Sequence, residues 1–250
     1  MSMDQISKRL LITVLLAFAA TRSAAAGQIG SRPAAEWIPH LEEASRVAGL
    51  KIDEVVKIIG VRPGMVVADI GSGSGVFTRP FAKATGAGGK AIAVDIDTAL
   101  LSYISERANK EGIKNIQTHL AVPDDAKLTP ASVDVAFFHD VLHHIEHRDV
   151  YMKNLAKYIK PNGRIVIIEN ATHSRQHGPA ESGGEHNPNA AMHQAMQGNQ
   201  HRTMEHQGQQ VEMSSERQKV DAMLAAAGFK PVQESDLFGA GKFFVIYGRQ

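Results

Sequence analysis

The sequence predicts a doubly wound α/β fold built on a mostly parallel seven-stranded sheet whose last strand runs antiparallel. Three observations carry this expectation. From Met65 onward, short apolar, β-branched runs alternate with longer amphipathic stretches, which is the pattern of successive βαβ units. The runs are apolar nearly throughout, so helices must cover both faces of the sheet. The last two runs are separated by a few residues that include Gly239 and Gly241, too few for a crossover and suited to a hairpin.

The expected strands cover residues 65–70, 91–95, 116–120, 133–139 and 164–169, followed by runs at 230–237 and 242–247. Between them, 76–85, 98–111 and 148–159 read as helices. Each is closed by a breaker: the glycines at 86, 88 and 89, then Gly112, then Pro161-Asn162-Gly163. A further helix over 220–227 ends at Gly228. Upstream, 34–47 and 52–59 read as helices, with Trp37, Ile38 and Leu41 spaced to share a face that packs over the sheet edge or its ligand. Trp37, the lone tryptophan, reads as core or lid.

The chain has 250 residues, twelve His, no Cys and a formal net charge of +1. Zero cysteine excludes disulfide frameworks, thiolate metal sites, thiol nucleophiles and a lipidated cysteine. A charge so near zero gives no field that argues for a nucleic-acid partner. Residues 1–26 carry Lys8 and Arg9, an eleven-residue apolar run from 10 to 20, and the small stretch Ser23-Ala24-Ala25-Ala26. This is the three-part pattern of a signal peptide, and the run falls short of the roughly twenty residues that span a bilayer. The expected organisation is therefore a signal peptide over 1–26, a helical segment over 27–62 and a main domain over 63–250. The expected location is exported and periplasmic, without a stable membrane anchor after cleavage. An unprocessed leader would leave the protein cytoplasmic.

The strongest chemical signal is Asp69-Ile70-Gly71-Ser72-Gly73-Ser74-Gly75, a strand running into a loop with glycine at alternate positions. Glycine permits unusual backbone angles and a close ligand approach. A dinucleotide fingerprint needs its third glycine at position 76, which is Val76, and no Gly-Lys-Ser/Thr follows to cradle phosphates. The loop thus favours a nucleoside ligand lacking pyrophosphate. Asp95 ends the next strand about twenty residues on, where a carboxylate can accept both hydrogen bonds of a ribose diol. The bland alternative is a tight turn with Asp95 capping the next helix.

These residues, with Val94-Asp95, Val133-Asp134-Val135 and Leu155…Lys160-Pro161-Asn162-Gly163-Arg164, resemble the successive motifs of class I S-adenosylmethionine-dependent methyltransferases. The resemblance is dense over residues 50 to 170 and looser through Tyr247. It implies the Rossmann-like methyltransferase fold, S-adenosyl-L-methionine as cofactor and a small-molecule methyl acceptor. Asp69, Gly71, Gly73 and Gly75 would hold the amino-acid end of the cofactor, Asp95 the ribose, and Ile96 the adenine. The family often places an acid after the third strand to bind the adenine amino group. Here that position is Val122, a departure, so Asp124 or Asp125 must serve, and Asp124 is the choice.

The fourth strand ends in Phe138-His139-Asp140-Val141-Leu142-His143-His144-Ile145-Glu146, at the mouth of the expected cofactor site. His139 is placed beside the cofactor. Methyl transfer from a sulfonium is a direct displacement, so the protein mainly aligns the partners and excludes water. If the acceptor must lose a proton, His143 or His144 has a suitable intrinsic pKa; otherwise one packs and the other caps. The pair resembles a subgroup of the family with His-His after the fourth strand.

Residues 171–210 contain no Val, Ile, Leu, Phe, Trp or Tyr and hold six of the twelve His. Such a stretch cannot offset its ordering entropy by burial and reads as a mobile insertion or lid. His173, His177, His186, His193, His201 and His206, with Met192, Met196, Met204 and Met213 interleaved or following, suit copper or zinc. Solvated loop is the simpler reading of such a tract. A second functional class follows: an exported, non-catalytic metal- or nucleoside-binding protein that reuses the fold. Export itself has a direct check: N-terminal sequencing from the native host is expected to find a mature start at Gly27, and an intact Met1 would refute cleavage.

Overall fold

A computed structural model describes residues 33–170 and 216–250. The expected leader at 1–26 and the His/Met-rich stretch at 171–210 lie outside the described residues. Three helices open the described chain: α1 (Ala34–Leu41), α2 (Ala44–Gly49) and α3 (Ile52–Ile59). Then β1 (Val66–Ile70), α4 (Thr78–Thr85), β2 (Lys90–Asp95), α5 (Thr98–Lys110) and β3 (Ile116–Leu120) form one half of the sheet. The other half is β4 (Val133–His139), α6 (Arg148–Leu155), β5 (Ile159–Asn170), helix α7, described over 216–226, β6 (Phe229–Ser235) and β7 (Lys242–Arg249).

The seven strands lie in the order β3-β2-β1-β4-β5-β7-β6, and β7 alone runs antiparallel, paired to β5 on one side and β6 on the other. This is the expected doubly wound architecture. The chain leaves β1 toward β2 and β3, then returns to place β4 on β1's other side, so a crevice opens at the carboxyl ends of β1 and β4. Alternation along each strand sorts the core into two layers. Val135, Phe137, Val166 and Ile168 pack with Phe77 and Phe81 of the α4 side. Ala136, Phe138, Ile165 and Ile167 pack with Met152 and Leu155 of α6 and Leu224 of α7.

Local chemistry sets the element ends. The Asp97 side chain accepts the Ala99 and Leu100 N–H groups at 2.8 and 3.4 Å and starts α5, satisfying orphan donors of the first turn. Gly60 closes α3 in the left-handed region, at φ +69°.

Three expectations are corrected. The helix expected over 34–47 is two helices, because Glu43 adopts an extended conformation (φ −59°, ψ 130°) between them. The helix expected over 148–159 stops at Leu155. Pro161-Asn162-Gly163, expected as a breaker before the fifth strand, lies inside it: pairing jumps from Val133↔Ile159 to Val135↔Arg164, so the extra residues bulge out of the ladder. Gly163 makes that bulge possible. A Cβ there would meet the Val133 carbonyl oxygen at 2.9 Å and Ile159 Cγ2 at 2.6 Å.

Among the described residues no helix is long and apolar enough to cross a membrane. Gly163→Ala is expected to lower stability in urea unfolding by about 1–3 kcal/mol, the cost of overpacking. Gly241→Ala, where nothing lies within 4 Å, is expected to stay within about 0.5 kcal/mol of wild type.

Candidate functional site

The glycine loop leaves β1 and folds back on β2. Gly71 and Ser72 donate their N–H groups to the Val94 carbonyl at 2.8 and 3.1 Å, and Gly75 donates to the Ser72 carbonyl at 2.8 Å. The turn needs positive φ at Gly71 (+66°), Gly73 (+54°) and Gly75 (+77°). Space is as restrictive as angle at Gly71, where a Cβ would sit 2.1 Å from Val141 Cγ2. Alternate glycines therefore keep a bare backbone ledge at the strand end, as a close ligand approach requires.

Asp95 pins this ledge in place. Its Oδ2 accepts the Gly73 N–H at 3.0 Å and its Oδ1 accepts the Asp97 N–H at 3.0 Å. The carboxylate is buried, which pushes its pKa up, while those backbone donors pull it down. Each oxygen retains a lone pair for a further donor such as a ribose hydroxyl. Beside it lies a pocket of about 150 Å³, lined by Ile70, Gly71, Val94, Asp95, Ile96, Ala121, Val122, Pro123, Val141, His144, Ile145, Glu146 and Tyr151. An apolar cavity of that size takes one aromatic ring. The bare ledge, the carboxylate and the apolar slot together fit an adenosyl group.

The structure brings Gly71, Asp95, Ile96 and His144 around that one pocket and places the other expected residues elsewhere. Asp69 is buried beneath the ledge, where its Oδ2 accepts the Thr78 hydroxyl at 2.5 Å. Desolvation, with a further contribution from Asp95, pushes its pKa up to about 7. Asp69 therefore braces the loop from below. The loop after β3 presents Val122 and Pro123 to the pocket. Asp124 offers its carbonyl to Asn154, and Asp125 accepts the Tyr158 hydroxyl at 2.7 Å and the Lys127 N–H at 2.9 Å.

His139 points to the α4 side of the sheet, ringed by Phe77 at 5.0 Å and Phe238 at 6.3 Å between centroids. Burial pushes its pKa down to about 4, so the ring is neutral. Asp140, at φ +51°, turns the chain out of β4 and pairs with Lys242 at the start of β7. The following turn (Leu142–His144) carries the two adjacent His, their rings 4.0 Å apart. His143 Nδ1 lies 2.8 Å from Glu169 Oε1. Glu169 ends the apolar run Ile165–Ile168 of β5 and was not singled out from sequence, although a lone carboxylate closing such a strand is the signal that marks it.

The N-terminal helices lie over the ledge. Leu41 Cδ1 would stand 3.3 Å from a Cβ at Gly73. Glu42 holds the buried Arg79 of α4 through both carboxylate oxygens at 3.1 Å, and Arg79 also donates to the Ser74 carbonyl at 3.0 Å. The Trp37 indole N–H is buried without a partner among the described residues. The six His of the 171–210 stretch, including the candidate ligands His173, His177, His193, His201 and His206, lie outside the described residues. Among those described, no group of three or more metal-ligating side chains forms.

A family model described as a methyltransferase domain matches residues 62–228. The chain belongs to the class I S-adenosylmethionine-dependent methyltransferases. A crystal structure of an S-adenosylmethionine-dependent methyltransferase from Aquifex aeolicus has the same fold, with a TM-score of 0.65 at 22% identity over 88% of this chain and 100% of that one. Two ubiquinone/menaquinone biosynthesis C-methyltransferases share part of the sequence. The one from Ectopseudomonas mendocina is 29% identical over 115 residues, 46% of this chain and 45% of that protein. The one from Laribacter hongkongensis is 34% identical over 115 residues, 44% of this chain and 45% of its own length. The chain thus spans about half the length of the curated relatives it matches.

The buried Asp69 gives this methyltransferase a pH signature of known sign. Its folded pKa stands above its unfolded value, so the folded state binds the extra proton and stability falls as pH rises from about 4 to about 7. Asp69→Asn removes that penalty. The melting temperature of the variant relative to wild type is expected to climb over this interval and level off above pH 7; a constant difference would show that Asp69 ionises normally.

Proposed function

We propose that the protein transfers a methyl group from S-adenosylmethionine to a small-molecule acceptor by direct displacement. The observation that carries this reading is Asp95, a buried carboxylate that ties the glycine ledge to the start of α5 and borders an apolar, ring-sized slot. Membership of the family favours catalysis over the alternative of a non-catalytic binding protein.

The roles follow from position. Gly71 and its neighbours form the ledge against which the amino-acid portion of the cofactor rests. Asp95 accepts the ribose hydroxyls, and Ile96, Val122 and Tyr151 enclose the adenine. The bound cofactor supplies an electrophilic methyl carbon on a sulfonium. The chain's own residues orient that group toward the carboxyl end of β4 and keep water away, which is most of what an in-line displacement needs. His144 borders the cofactor pocket and His143 stands beside it.

The C-methyltransferase relatives named above act in ubiquinone and menaquinone biosynthesis, as their names state. For this chain the corresponding proposal is the coarser one, a small organic acceptor. An exported location requires that the cofactor reach that compartment, and the functional proposal stands for either location. Calorimetric titration with S-adenosylmethionine and with its demethylated product is expected to show one site per chain. Asp95→Ala is expected to weaken both ligands at least about tenfold, the scale of one charge-assisted hydrogen-bond pair. An absence of binding to wild-type protein at millimolar ligand would overturn the reading.

A further inference from the structure

We propose that the Tyr151 hydroxyl is the group that reads the adenine, donating a hydrogen bond to one of the ring nitrogens of the base. The inference deepens the methyltransferase reading above and rests on it.

The loop that walls the pocket after β3 offers a base no polar group of its own. Val122 and Pro123 present apolar side chains, and Pro123 has no N–H. The Ala121 N–H goes to the Asp95 carbonyl at 2.9 Å, and Val122 exchanges both of its backbone groups with Asp125 at 3.0 and 3.1 Å. Polar side chains reach the pocket from Asp95, His144, Glu146 and Tyr151. Asp95 already holds the Gly73 and Asp97 N–H groups and is assigned to the ribose. His144 and Glu146 are exposed at the mouth.

Tyr151 differs from those two in being 3% exposed. Its ring belongs to the core on the α6 side and meets Phe138 edge-on, 6.2 Å between centroids, so packing fixes where it stands. The hydroxyl makes no hydrogen bond to any described residue. Burying such a group without a partner disfavours the folded state, and a ligand that brings an acceptor removes the penalty. Burial first, then the charges of Asp125 and Asp95 and the nearby Tyr158, push its pKa above the ordinary range, so the hydroxyl keeps its proton and can donate. Adenine supplies ring nitrogens that accept, and an otherwise apolar slot makes one such bond selective. A base that lacks the matching nitrogen leaves the donor unpaired where water cannot replace it.

The test is calorimetric titration with S-adenosylhomocysteine and with the analogues in which adenine N1, N3 or N7 is replaced by C–H. Tyr151→Phe keeps the ring and removes only the hydroxyl. It is expected to bind S-adenosylhomocysteine about 3- to 10-fold more weakly than wild type, the scale of one hydrogen bond. One analogue should bind wild type with a similar loss, and Tyr151→Phe should no longer distinguish that analogue from the parent. Urea unfolding without ligand should find Tyr151→Phe at least as stable as wild type, because the hydroxyl has no partner in the free protein. Glu146→Gln should bind S-adenosylhomocysteine as wild type does.

Equal affinity of Tyr151→Phe and wild type, or one common loss for the parent and all three analogues, would overturn the assignment. So would a Tyr151→Phe protein that is less stable without ligand, which would show the hydroxyl bonded within the chain. Weakened binding in Glu146→Gln with none in Tyr151→Phe would give the role to the exposed carboxylate instead. Failure of wild type to bind S-adenosylhomocysteine at millimolar concentration would overturn the methyltransferase reading itself.

Discussion

The site depends on one carboxylate doing two things with its backbone neighbours. Asp95 receives the Gly73 N–H from the ledge and the Asp97 N–H from the start of α5. The first bond holds a loop whose three glycines have high conformational freedom in the unfolded chain and would otherwise be costly to order. The second fixes the turn between β2 and α5, where the Asp97 side chain then caps the helix. Parallel pairing of β1 with β2 brings Ile70 opposite Val94, so the loop after one strand and the acid ending the other meet without a long connection. The ring-sized pocket is the space left beside that junction.

Such an arrangement concentrates negative charge, and the fold manages it by giving two buried acids different surroundings. Asp95 has backbone donors from Gly73, Ile96 and Asp97 opposing its desolvation. Asp69 has Thr78, and burial together with the Asp95 charge keeps its pKa near 7. Near neutral pH Asp69 therefore shares its site with a proton much of the time, while Asp95, its pKa also raised by burial, keeps backbone donors on both of its oxygens. Burying both as anions with no such division would cost far more than the loop's hydrogen bonds return.

What could be read from sequence was what local backbone chemistry decides. Strand runs, the glycine ledge, Asp95 and the antiparallel β7 all announce themselves within a few residues. Pairings between distant strand ends do not. Glu169 and His143 are 26 residues apart, and they meet because β4 and β5 pair with His139 opposite Ile168. The loop after β3 owes its shape to a similar closure: Val122 and Asp125 form a tight bridge, Val122 lines the pocket and Asp125 accepts the Tyr158 hydroxyl. The bulge at 160–163 was hidden because Pro-Asn-Gly has the composition of a turn whether it ends a strand or interrupts one.

The histidines at the end of β4 show how position overrides residue type. His139 shares a strand face with Val135 and Phe137, so its ring falls among aromatic side chains and loses its charge. Had the chain continued as a strand, residue 143 would have faced the same way. Asp140 prevents that. Its N–H still bonds to the Ile168 carbonyl at 2.9 Å, which extends the ladder by one step. Its positive φ then turns the chain, an unfavourable conformation for a residue with a Cβ, and its pairing with Lys242 holds the turn. After the turn the Leu142 N–H meets Glu169, and His143 follows onto the opposite side of the sheet. A strained residue thus converts one His-rich run into two environments, a neutral ring among aromatics and a proton-binding ring on a buried carboxylate. Strain of this kind persists where surrounding contacts enforce it, and here the Ile168 carbonyl and Lys242 supply them.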